Sequence, residues 1–176
     1  MKPSRNTDEP ERDLRVLAKM KRAKVKPNIM TYELLLSLFG SVNPPYESGS
    51  RQSQEDVLKR ISAIEMDMGR NSVEHNENSM HTLLKALGAE GMVKELLQYL
   101  HLAEDHFNSR DARSAPLLGI NVYNTVLHAL VEEKERDVAI DVFEKMKVFG
   151  FKPDAVTYHI MMDCYSLTGV YSLPVQ

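Results

Sequence analysis

Cysteine is nearly absent: Cys164 stands alone in 176 residues. One cysteine excludes a disulfide framework and any cysteine-rich zinc module, and it is compatible with a reducing compartment. No stretch approaches the ~20 consecutive apolar residues that a membrane-spanning helix needs. The eight glycines are scattered, and Gly88-Ala89-Glu90-Gly91 lacks a following Lys-Ser/Thr, so no phosphate-cradling loop is encoded. Residues 1–10 are polar, lack the apolar core of a secretory signal, and carry Asp8 and Glu9, which organelle transit peptides avoid. A surplus of one charge is also missing. Lys and Arg number 22 against 25 Asp and Glu, a net charge of −3 that gives no global pull toward nucleic acid.

What is present suits a soluble domain or a short repeat array, with 43% hydrophobic and 27% charged residues. Charge is unevenly distributed. Residues 1–30 hold nine basic residues against four acids, and six of the nine fall between Arg15 and Lys26 with no acid among them. A run of this length reads as a solvated helix face that could meet phosphates. The histidines do not form a metal site of a known pattern. His101, Glu104 and His106 lie close together, but the two histidines are five apart, where a zinc-protease helix needs four with a Glu beside the first. Cys164 has His159 five positions earlier but no orienting third group, and reads as a buried structural thiol. Nothing calls for a cofactor, a metal or a small-molecule substrate, and the chain is not expected to be an enzyme.

Apolar spacing is helical almost throughout, which makes the class all-α. Val122, Tyr123, Val126, Leu127 and Leu130 form one stripe, and Val138, Val142, Met146 and Phe149 form the next. Further stripes run from Val57 to Met68, from Met80 to Leu87 and from Val93 to Phe107. Gly150 can take the left-handed conformation that ends a helix, Pro153 forbids resumption, and Asp154 is placed to cap the helix that follows. Two polar stretches, 41–54 and 108–119, read as inserted loops from their Pro, Gly and Ser content. The second is expected to be replaceable by a short linker with helix content nearly unchanged. Only patches such as Val170-Tyr171-Ser172-Leu173 look strand-like.

An internal repeat emerges once those loops are set aside. Met30-Thr31-Tyr32-Glu33, Asn78-Ser79-Met80-His81, Asn121-Val122-Tyr123-Asn124 and Val156-Thr157-Tyr158-His159 open four helices in the same way. The steps between their last residues are 48, 43 and 35, with the excess falling where the polar stretches lie. A two-helix unit of this size cannot bury both apolar faces alone, so neighbours must stack into a solenoid. The expected organisation is a disordered N-terminus at 1–8 and the second helix of a truncated unit at 9–28. Divergent units follow at 29–76 and 77–119, then a well-formed unit at 120–154. The first helix of another truncated unit at 155–168 and a tail at 169–176 complete the chain. Helices without partners at both ends give the expectation of a piece of a longer array.

The unit from Asn121 to Asp154, and above all the junction Gly150-Phe151-Lys152-Pro153-Asp154-Ala155-Val156-Thr157-Tyr158, resembles the pentatricopeptide repeat. Residues 120–168 carry the likeness most strongly, and Lys24-Val25-Lys26-Pro27-Asn28 rhymes with the same junction. The resemblance implies a right-handed α–α superhelix related to the tetratricopeptide fold. It also implies single-stranded RNA binding in mitochondria or chloroplasts, in transcript stability, processing, splicing or translation, with one base read per repeat. The base readers it implies are Asn124 with Asp154, a pair that favours uracil in the family, then His81 with Gly119 and Glu33 with Asn76. His159 is a reader with no second reader in this sequence. Val156 and Met30 correspond to the apolar residue that packs against bases, a place taken by Asn78 and Asn121 in the other two units. One turn beyond the readers, Lys85 and His128 are placed to meet phosphates. Asp154 could also stand where it does as an ordinary helix cap, worth ~1 kcal/mol. A second possibility is a scaffold whose hollow holds a protein partner. Base reading requires Glu33, His81, Asn124 and His159 to share an open face, and a scaffold requires an apolar trough there.

Overall fold

The computed structural model describes residues 9–38, 49–109 and 115–166, with side chains from residue 15 onward. The terminal segments 1–8 and 169–176, the strand-like patch 170–173, and most of the first polar stretch lie outside the described residues. Among the described residues eight helices follow one another: α1 Glu9–Arg22, α2 Ile29–Ser37, α3 Arg51–Arg70, α4 Glu77–Ala89, α5 Val93–Ser109, α6 Ile120–Glu132, α7 Arg136–Val148 and α8 Ala155–Ser166. The described residues contain no strand. Helices α2, α4, α6 and α8 lie side by side in one layer. Behind them α3 packs on α2 and α4, α5 on α4 and α6, and α7 on α6 and α8. This is the stacked helix-turn-helix architecture that the period predicts.

The same local chemistry starts and stops the helices. Asn28 and Asn76 cap α2 and α4 by accepting from the backbone N–H of Thr31 and Ser79, whose hydroxyls reach back to the cap backbone in reciprocal capping boxes. Asp154 and Thr157 make the same box at the start of α8, with Asp154 Oδ1 accepting from Thr157 N–H at 2.9 Å and Thr157 Oγ1 accepting from Asp154 N–H at 3.1 Å. At their ends, α1, α3, α4, α6 and α7 close with one residue at positive φ, respectively Lys24, Ser72, Gly91, Lys134 and Gly150. Around Gly150, Phe151 N–H donates to Met146 O and Gly150 N–H to Lys147 O, both at 3.0 Å, so the last carbonyls of α7 are satisfied.

The core lies between the two layers. Met80, Leu83, Leu84 and Leu87 of α4, Leu96 and Leu100 of α5, and Val126, Leu127 and Leu130 of α6 are almost wholly buried. Each contributes roughly 1.5–3 kcal/mol by leaving water. A second cluster joins Leu17 of α1 to Tyr32, Leu35 and Leu36 of α2 and to Ile64 and Met68 of α3. Helices α4 and α6 approach closely at Gly88, where a Cβ would fall 2.8 Å from that of Ala129. Cys164 is fully buried, its thiol facing Arg136 O at 3.8 Å.

Two boundaries differ from the sequence reading. Residues 51–54 are not loop but the first turn of α3, started by Ser50 accepting from Ser53 N–H at 3.2 Å. In stretch 108–119 the first two residues are helix, while 115–118 are non-helical as read. Asn108 and Ser109 end α5, Leu117 and Leu118 are core residues only 6% and 3% exposed, and Gly119 caps α6. Two leucines are thus buried within a stretch of turn-forming composition, and replacing it by a short linker is expected to cost stability.

Candidate nucleic-acid interface

Because α2, α4, α6 and α8 lie side by side, equivalent positions near their starts fall at the junctions between adjacent helices. At the α6–α8 junction Asn124 donates from Nδ2 to Asp154 Oδ1 at 3.1 Å, and Thr157 Oγ1 donates to Asn124 Oδ1 at 2.5 Å. At the α2–α4 junction Asn76 Nδ2 donates to Glu33 Oε1 at 2.7 Å. An amide–carboxylate pair thus recurs two units apart with the roles of the two helices exchanged. The structure brings together the members of two of the three pairs that the sequence singled out. In each case the second member also caps a helix, so capping and pairing are done by one side chain rather than being alternatives. Donation from Thr157, first from its backbone, holds the Asp154 carboxyl below the usual range, with Asn124 adding to the effect.

Between α4, α6 and α8 an open groove of ≈ 770 Å³ is lined by His81, Lys85, Asn121, Asn124, His128 and Asp154, among others. Val156 borders it and is 56% exposed, and Met30 at the corresponding place on α2 is 70% exposed. Both are large apolar side chains left to solvent beside the expected reader positions, as a stacking surface would require. Asn124 is only 8% exposed, which places it at the floor of the groove. This departs from the expectation of four open readers: Glu33 and His81 are half-buried and His159 is exposed, whereas Asn124 is nearly covered. The cause is the box at the start of α8, which draws the Asn124 amide against Thr157. Burial and the neighbouring Lys85 charge hold His81 below the usual histidine range, with Glu77 opposing them. Lys85 and His128 are exposed at the groove, but His128 lies 3.8 Å from Glu132, and Glu132 and Glu133 also line it. The groove carries charges of both signs, and its lining mixes these polar side chains with apolar ones, among them Ala129, Val156 and Ile160.

Gly119 supplies no side chain to the α4–α6 junction, and its backbone caps α6 with no side-chain hydrogen bond. The residue that fills this place, Glu77, was not singled out by the sequence. Its only signal there is an acid at the first position of a helix whose counterparts begin with Ile29, Ile120 and Ala155. Among the basic residues of α1, Lys21 is bound to Asp67 of α3, so that part of the run is structural. Glu104, next to the candidate histidines, is buried and taken up by Tyr123 at 3.1 Å and Lys145 at 2.7 Å.

Residues 119–166 match the PPR repeat family, and residues 4–42 match the pentatricopeptide repeat domain. A pentatricopeptide repeat-containing protein of Arabidopsis thaliana is 51% identical over 164 residues, which are 93% of this chain and 21% of that protein. The chloroplastic pentatricopeptide repeat-containing protein 10 of Zea mays is 28% identical over 92 residues, covering 52% of this chain and 11% of its own length. Among solved structures, the pentatricopeptide repeat protein PPR10 in complex with an 18-nt psaJ RNA element is similar with a TM-score of 0.53 and 22% identity, over 89% of this chain and 25% of that one. Nuclear proteinaceous RNase P 2 from Arabidopsis thaliana is similar with a TM-score of 0.64 and 14% identity, over 94% of this chain and 33% of that one. Both structural likenesses are likenesses of fold, and the chain spans 21% of the length of its Arabidopsis relative. With the repeat period, the junction motif and the stacked helix pairs, these matches establish that the chain belongs to the pentatricopeptide repeat family.

Proposed function

We propose that the chain binds single-stranded RNA along the face made by α2, α4, α6 and α8, and that it does so as a base-selective binder rather than a catalyst. The observation that carries this reading is the recurrence of the amide–carboxylate pair at the α2–α4 and α6–α8 junctions, Glu33–Asn76 and Asn124–Asp154, beside exposed Met30 and Val156. Such a pair presents hydrogen-bond donors and acceptors to a base edge while a neighbouring apolar side chain packs on its face. Asn124 has one amide hydrogen and one oxygen lone pair beyond those engaged by Asp154 and Thr157, and these suit a pyrimidine edge such as uracil. His159 is the reader of α8, and Lys85 and His128 meet the backbone phosphates. A related structure holds RNA, and relatives named chloroplastic and mitochondrial support a role in organellar RNA metabolism. The hydrogen-bonding side chains set among the apolar ones of the groove suit bases better than they suit a partner helix, which would need a continuous apolar trough.

The test is the affinity of the chain for short single-stranded RNAs that differ at one nucleotide, with and without Asn124→Ala and Asp154→Ala. The expected outcome is loss of preference at one nucleotide position in both variants, with a larger fall in melting temperature for Asp154→Ala because the cap is lost as well. Equal, weak binding of all RNAs by wild type and variants alike would sink the reading.

A further inference from the structure

The α4–α6 junction lacks the second member of its pair, and the structure shows what stands there instead. A Cβ built on Gly119 would fall 2.5 Å from Glu77 Cδ, with Oε1 closer still, so the Glu77 carboxylate already occupies the volume of the missing side chain. Gly119 has an extended backbone, φ −169°, which any residue adopts. The vacancy is therefore one of side chain, filled from the neighbouring helix. Glu77 opens α4 and lies one turn before His81, and its carboxylate rests against the N-cap of α6. The positive ends of two helices thus face it, which favours a carboxylate in that place. His81 lines the groove next to it, as Asn124 does in the following unit.

We propose that Glu77 is the second base-contacting side chain of the middle unit, in the place Gly119 leaves empty, and that with His81 it favours guanine over uracil. The inference rests on the RNA-binding reading above and extends it to a residue outside the repeat's reader positions. A carboxylate only accepts, and guanine alone offers two adjacent donors on its Watson–Crick edge, N1–H and N2–H. The His81 imidazole carries at least one N–H, which can donate to guanine O6. Uracil presents one N–H flanked by two carbonyls, and one of them would face a carboxylate oxygen. Glu77 therefore differs from the two amide–carboxylate junctions, where an amide donor is present to meet a carbonyl.

The test is selection of a randomised RNA window by the full 176-residue chain, followed by sequencing, for wild type, Glu77→Gln, Gly119→Asn and Asn124→Ala. Glu77→Gln is near-isosteric, and retained far-UV circular dichroism verifies its fold. Gly119→Asn places a side chain where the Glu77 carboxylate sits and displaces it with no substitution in α4. The expected result is guanine enrichment at the position adjacent to the one Asn124→Ala erases, falling about tenfold in both Glu77→Gln and Gly119→Asn. The comparison between bases is decisive, because removing a negative charge raises affinity for every RNA. Unchanged enrichment in both variants, or uracil at that position in wild type, would overturn the role of Glu77 while Asn124→Ala still reports base reading. No enrichment at any position in wild type would overturn both.

Discussion

Asp67 shows how much of the stability of a helical repeat passes through single buried groups. It accepts from Tyr32 Oη at 2.7 Å and pairs with Lys21, while Asn71 Nδ2 reaches the same tyrosine oxygen at 3.0 Å, so one carboxylate ties α1, α2 and α3 together. Burial pushes this carboxyl up, but the hydrogen bonds from Lys21 and Tyr32 and the Lys21 charge outweigh it and hold it below the usual range. Burial and the same bond push the Tyr32 hydroxyl up to about 12. A carboxyl depressed in the folded state contributes stability above its unfolded value near ~4, and that contribution is lost as pH falls through the folded value. Asp67→Asn should therefore cost about 2 kcal/mol at pH 7 and flatten the acid limb of stability, as read from urea midpoints between pH 7 and pH 2.5. Some slope should remain, because Glu65 and Asp154 are shifted in the same direction. The tyrosine pattern was legible in sequence, since Tyr32 and Tyr123 hold equivalent stripe positions. Their acceptors were not, because Asp67 lies 35 residues from Tyr32 and Glu104 lies 19 from Tyr123, on opposite sides in sequence.

At the scale of the element, helix stripes and caps were readable because their causes lie within four residues. The start of α8 at Ala155 follows from Pro153 and Asp154, and the end of α7 from Gly150. The stretch before α6 is non-helical at 115–118, as its composition indicates, but its burial has causes that are not local. Its Ser, Pro and Gly content suggests a loop, yet Leu117 and Leu118 are buried against helices distant in sequence. Leu117→Ala and Leu118→Ala should each destabilise by about 2–5 kcal/mol, visible as a lowered melting temperature with cooperative unfolding retained. Replacing 108–119 by a short linker should cost at least as much. A linker variant that melts like wild type would show these leucines to be dispensable.

For the whole molecule, stacking decides which side chains share a groove, and charge decides how strongly it holds a polyanion. Lys85 is a clear cation at the groove, while Glu132, Glu133 and Asp154 line it too. Affinity for RNA should therefore fall only shallowly with salt, by about 0.7 in log–log slope for each phosphate neutralised. Lys85→Ala should weaken binding to all sequences alike and reduce the slope by about one such step, in anisotropy titrations across salt concentrations. A change of base preference in that variant would contradict a phosphate role. The sequence alone determined the all-helical class, the repeat period, the caps and the residue types at the junctions, because these depend on neighbours within a turn or on recurrence along the chain. Only the tertiary structure decided that Asn124 lies at the floor of the groove, that Leu117 and Leu118 belong to the core, and that Glu77 takes the place of a side chain at Gly119. Each of these depends on how helices tens of residues apart come to rest against one another, and no local pattern encodes that distance.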